Sequence, residues 1–138
     1  MPILVNAGRP VFTLPGLRHQ TLAGAADGLA RLEVWSQSLD PGAVTPPHYH
    51  ECEEVVVIHS GRGQLVIDGK ATAFGPGTTL TVAARVVHQV MNTGDSDMTL
   101  LAVLSETPAR VFTPDGQLLA LPWQIGPAGP GAAAAGGA

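Results

Sequence analysis

No stretch of this chain between its glycines and prolines sustains helical periodicity, and that interruption limits the fold more than any other feature. With 17 Gly and 12 Pro in 138 residues, the sequence is cut into short pieces, several of which carry strand chemistry. Residues 31–39 (RLEVWSQSL) alternate in part and end at the turn Asp40-Pro41-Gly42. Residues 44–50 follow, then Val55-Val56-Val57-Ile58, a run too β-branched to prefer helix. Residues 64–67 and 71–74 flank Asp68-Gly69-Lys70, and Asp-Gly between apolar runs signals a hairpin because Gly accepts the positive φ of a type I′ turn. Further strands are expected over 78–82, 86–92 and 98–104. A last extended piece over 110–113 precedes Pro114-Asp115-Gly116. Short strands at this spacing predict an all-β sandwich or barrel.

The pattern fits one domain over residues 1–125, opened by a short irregular N-terminal segment. Residues 126–138 contain only Gly, Pro and Ala, bury nothing of their own, and are expected to form a flexible tail. A chain of this length can bury a core without disulfide staples. Its single cysteine, Cys52, excludes an intrachain disulfide. Net charge is -4, Lys70 is the only lysine and six arginines are scattered, so no basic stripe offers itself to a nucleic acid. No apolar run approaches the roughly 20 residues that span a bilayer, which argues against a membrane partner. MPILVNAGRP lacks the basic and apolar regions of a secretory signal, so a cytoplasmic protein is expected.

Chemistry concentrates in His48-Tyr49-His50. Residues two apart on a strand share a face, so both imidazoles can converge while Tyr49 turns away. Glu54, four residues on, would lie about 13 Å away in a straight strand. If Glu51-Cys52-Glu53 is a connection, Glu54 instead opens the neighbouring strand and returns beside the histidines. His88 can supply a third imidazole from across a barrel. Three imidazoles and a carboxylate suit a first-row divalent ion: iron, manganese, nickel, copper or zinc.

These residues resemble the cupin superfamily. Gly42, five residues, His48-Tyr49-His50, three residues, Glu54, six residues and Gly61 match its first motif at every defined position. The second motif keeps Gly77, His88 and Asn92 at the right intervals, but Ala83 and Arg85 stand where the family has proline and glycine. That departure bears on the turn before His88 more than on the ligand. The resemblance implies a single-domain jelly-roll β-barrel holding a metal near its mouth, with His48, His50, Glu54 and His88 as ligands, commonly as a homodimer. Its activities range from dioxygenases and decarboxylases to lyases, isomerases, polyketide cyclases and non-catalytic binding domains. An iron-type dioxygenase acting on a small organic molecule leads, because it needs no further acid–base pair. A lyase, isomerase or cyclase needs a general base, for which Glu33, Gln37 and Tyr49 qualify only by residue type. A non-catalytic binding module is the third reading.

Other residues take plainer roles. His59 is out of phase with Glu54 and should point outward, and His19 sits in the irregular N-terminal segment. Glu53 competes with Glu54 as a ligand, but strand parity and the interval to Gly61 favour Glu54. Glu51 and Arg85 read as solvated, Cys52 as turned from the metal, Trp35 and Phe74 as packing, and Asn92 as structural.

Overall fold

The computed structural model describes residues 2–125, and the expected tail over 126–138 lies outside them. Nine antiparallel strands, two short 3-10 helices (Asn6–Gly8 and Ala25–Asp27) and one four-residue α-helix make up the regular structure of the described residues. A six-stranded sheet has the order β1 (Phe12–Leu14), β2 (Leu17–Ala23), β3 (Glu33–Leu39), β9 (Met98–Leu104), β4 (Glu54–Ser60), β7 (Thr78–Val82). A three-stranded sheet has the order β6 (Lys70–Phe74), β5 (Gly63–Ile67), β8 (His88–Asn92). The helix α1 (Pro122–Ile125) closes the described chain. Among the described residues no helix is long and apolar enough to cross a membrane.

Period-two alternation builds the core. In β3, β4 and β9 every second residue is buried, placing Trp35 and Leu39, Val56 and Ile58, and Met98, Leu100, Ala102 and Leu104 inside. Each fully buried Leu or Ile contributes about 1.5–3 kcal/mol relative to exposure. The Asp68-Gly69 hairpin forms as expected: Ile67 pairs with Lys70, and φ is +52° at Asp68 and +73° at Gly69, the mirror-image turn that two-residue hairpins require.

Three expectations need correction. The N-terminal segment is not irregular throughout, because β1 and β2 form a hairpin on the edge of the large sheet, with Leu14 opposite Leu17 across Pro15-Gly16. Residues 44–50 do not form a continuous strand. Pro46 and Pro47 have no N–H to give, and only isolated bridges hold the segment: Val44 to Met91, His48 to His88 and Tyr49 to Phe112. The strands expected from 31 and 86 begin at Glu33 and His88.

Candidate metal centre

The four expected ligands converge. His48 and His88 exchange backbone hydrogen bonds, His48 N donating to His88 O (3.2 Å) and His88 N to His48 O (2.8 Å), which sets the two residues directly opposite each other. Tyr49 turns outward, exchanging backbone bonds with Phe112 and stacking on its ring at 5.2 Å. His50 therefore returns to the inner face, where Arg85 N caps its carbonyl at 2.7 Å. The chain bends over residues 51–53 and re-enters the sheet at Glu54, the first residue of β4, paired to Leu104 and Val82. All four side chains are buried, none more than 2% exposed.

Carbonyl groups fix the three imidazoles. Nδ1 of His48 donates to Pro46 O (2.7 Å), that of His50 to Arg110 O (2.8 Å) and that of His88 to Val86 O (2.9 Å). A carbonyl only accepts, so each Nδ1 bears a proton and each ring turns its Nε2 toward the centre. Each of the three rings offers one ligand nitrogen within 4.8 Å of the other two. Glu54 Oε1 lies 3.1 Å from His88 Nε2 and 3.5 Å from His50 Nε2. The Nε2 atoms of His48 and His50 and Oε2 of Glu54 are buried without a hydrogen-bond partner. Acceptors gathered this closely repel one another unless a proton or a cation lies between them, so the donor set fits a metal ion.

Electrostatics agree. Burial, reinforced by the neighbouring His88 and His50, pushes His48 down to about 3, and burial also lowers His50, so both stay neutral near pH 7. For Glu54, burial acts upward, but the His88 hydrogen bond and the surrounding imidazoles outweigh it and hold the carboxyl below its usual range.

Around the centre lies an aromatic wall that the sequence did not announce. Trp35 meets His50 edge-on at 6.0 Å and His19 at 5.1 Å, and Trp123 of α1 stacks on His19 at 3.6 Å. His19, only 1% exposed, accepts at Nδ1 from Gln37 Nε2 (2.9 Å) and bonds through Nε2 to Thr21 Oγ1 (2.8 Å). The signal that could have found it was Pro15-Gly16, a turn dipeptide followed by the alternation Leu17, His19, Thr21. The three candidate bases are otherwise engaged or misplaced. Glu33 accepts from Trp35 Nε1 and Thr107 Oγ1, Gln37 donates to His19, and Tyr49 faces away.

The remaining residues fall as read. His59 and Glu53 are exposed, Phe74 packs on the core, and Asn92 ties Leu39 O, Ser96 O and Gly94 N together. Cys52 joins the core cluster. Arg85 is solvated, its side chain 76% exposed and 3.7 Å from Glu51. Its φ of +66° explains the departure in the second motif: the position expected to be glycine keeps its left-handed backbone with arginine in place.

The model of the family described as auxin binding protein matches residues 5–122. Auxin-binding protein 1 of Arabidopsis thaliana is 37% identical over 117 residues, covering 78% of this chain and 57% of that protein, so the chain spans less than two thirds of this relative's length. Among solved structures, a sugar phosphate isomerase of the cupin superfamily from Silicibacter pomeroyi aligns with a TM-score of 0.61 and 31% identity, over 72% of this chain and 66% of that one. The polyketide cyclase RemF of Streptomyces resistomycificus aligns with a TM-score of 0.67 and 22% identity, over 75% and 78%, a likeness of fold. The chain is a cupin and belongs to the auxin-binding protein family.

Proposed function

We propose that this protein is a metal-dependent cupin in which His48, His50, Glu54 and His88 hold one divalent transition ion that takes a small organic anion. The observation that carries the reading is the set of unpartnered Nε2 and carboxylate atoms, fixed by carbonyl groups on their far sides. Three neutral imidazoles and one carboxylate leave a divalent ion with one net positive charge, which favours an anionic group on the incoming molecule. The aromatic wall favours a largely apolar body behind that group. The name of the Arabidopsis relative, an auxin-binding protein, agrees with a small organic ligand.

The enzymatic form of the proposal is an iron-type dioxygenase, with zinc, manganese, nickel or copper as alternative occupants. When bound, the ion would supply a Lewis-acidic or redox-active site beside the aromatic wall. The engagement of Glu33 and Gln37 elsewhere, with Tyr49 outside, favours chemistry that needs no general base over a lyase, isomerase or cyclase. Elemental analysis of protein purified without chelator should give about one transition ion per chain. His48→Ala and Glu54→Ala should each weaken binding of that ion more than ~10-fold, since even partners outside the ligand set cost that much. Variants that bind as tightly as the parent would overturn the ligand assignment. Oxygen consumption on phenolic or enolisable acids then separates the oxygenase from a binding protein.

A homodimer and a cytoplasmic setting complete the proposal. The lone, buried Cys52 suits a reducing compartment. The outer face of β3, β9 and β4 presents Val34, Leu101, Val103, Val55 and Val57 without a Lys, Arg, Asp or Glu, and Val57 pairs directly with Leu101. Combining Val57→Lys with Leu101→Lys should shift light-scattering mass from dimer to monomer. A monomeric parent removes this part of the reading.

A further inference from the structure

A cavity of about 300 Å³ opens between the β1–β2 hairpin and α1. Phe12, Pro108 and Trp123 form its apolar walls, Glu33 forms part of its lining, and none of the four converging metal-site residues borders it. Its volume sits at the lower end of the range for small-molecule sites.

Glu33 is the unusual member. It is 4% exposed, and both carboxylate oxygens accept hydrogen bonds, Oε2 from Trp35 Nε1 at 2.6 Å and Oε1 from Thr107 Oγ1 at 2.8 Å. The Thr107 hydroxyl accepts in turn from Ala25 N, which commits its proton to Glu33. Both donors are neutral. A carboxylate has about four acceptor positions, so two stay open. Among the described residues no cationic side chain pairs with it. Arg9 lines the same cavity, but Nη1 and Nη2 bind Asp27 at 2.8 and 2.7 Å, and Nε binds Thr21 O at 3.0 Å. Arg9 and Asp27 neutralise each other, and Glu33 leaves the lining with one negative charge.

Burying a carboxylate without a counter-charge is costly. Here the missing charge would have to come from the cavity. Phe12 and Trp123 meet at 61° with centroids 6.5 Å apart, forming an aromatic corner of the kind that holds both a flat apolar ring and an ammonium group. Trp123 Nε1 is buried without an acceptor, so a ligand hydroxyl would add a bond. Glu33 and Glu54 both oppose Leu104 from flanking strands, so two carboxylates stand on either side of one leucine, one turned to the metal residues and one to this cavity.

We propose that this cavity binds a small aromatic amine, with its ammonium on Glu33 and its ring against the corner formed by Phe12 and Trp123. The test is calorimetric titration of the full chain, as purified, with tyramine, its neutral analogue 4-ethylphenol and the acid 4-hydroxyphenylacetate. Tyramine should bind at least ~10-fold more tightly than 4-ethylphenol, as expected for a charge-assisted contact. Excess chelator should leave that ratio unchanged. Glu33→Gln should abolish the preference. Phe12→Leu, on an edge strand, should weaken tyramine several-fold and guards against misfolding of the first variant. Equal affinity for tyramine and 4-ethylphenol, binding of neither, or a preference that vanishes with chelator would each overturn the proposal.

Discussion

His19 shows how one buried ring can set the acid limit of the protein. Burial drives it from an ordinary 6.5 to about 3, so the folded chain keeps it neutral where the unfolded chain protonates it. Below pH 6.5 the unfolded state therefore holds the extra proton, and stability must fall as pH falls. For this group alone the slope is about 1.4 kcal/mol per pH unit between about 6.5 and about 3, with its full contribution present above 6.5. Urea unfolding between pH 6 and 4 should show a slope reduced by about that amount in His19→Gln. An unchanged slope would mean that the ring titrates normally in the fold. At this scale the convergence of the proposed metal ligands was legible and the place of His19 was not. His48, His50 and Glu54 follow from parity and the spacing of two glycines. His19 lies on a strand whose burial depends on α1, more than a hundred residues away, a contact that no local pattern encodes.

Among the elements, the turn before β8 carries the clearest local strain. A non-glycine residue in the left-handed region costs about 1–2 kcal/mol, and Arg85 sits there at φ +66°. Its amide nonetheless donates to His50 O, so the turn geometry is held from across the barrel. Arg85→Gly should remove the strain and add backbone entropy to the unfolded chain, for a net gain of about 0.5 kcal/mol in denaturant unfolding. A loss of 1 kcal/mol or more would show that the arginine side chain contributes something its exposure does not reveal. Strand existence was legible wherever alternation ran cleanly, as in β4, β7 and β9, whose bounds matched or nearly matched expectation. It failed at residues 44–50, where alternation is present but Pro46 and Pro47 withhold the donors that a ladder needs. Apolar pattern reports which face is buried. It does not report whether the backbone can pair.

For the molecule as a whole, the two sheets are joined by side chains that want a shared partner. Anything bound by the folded chain alone stabilises it by mass action, about 4 kcal/mol at a thousandfold excess over its dissociation constant. For a chain of this size that amounts to roughly 10 °C in melting temperature. Adding the bound ion back to chelator-treated protein should raise the melting point by about that much in the parent and by little in Glu54→Ala. Equal shifts would place the binding elsewhere. The barrel architecture was readable from turn spacing because glycine, proline and β-branched runs act locally. The aromatic wall and the cavity beside Glu33 were not, since both arise where the N-terminal hairpin and the last described element meet.

The paired amides of His48 and His88 have one more consequence. Because these two residues, from separate motifs, pair across one isolated bridge, the spacing of their main chains is set by backbone hydrogen bonds. In a coordination chemist's terms, an ion held there as proposed would meet three imidazole nitrogens and one carboxylate, a donor set far from the six to eight oxygens that calcium prefers.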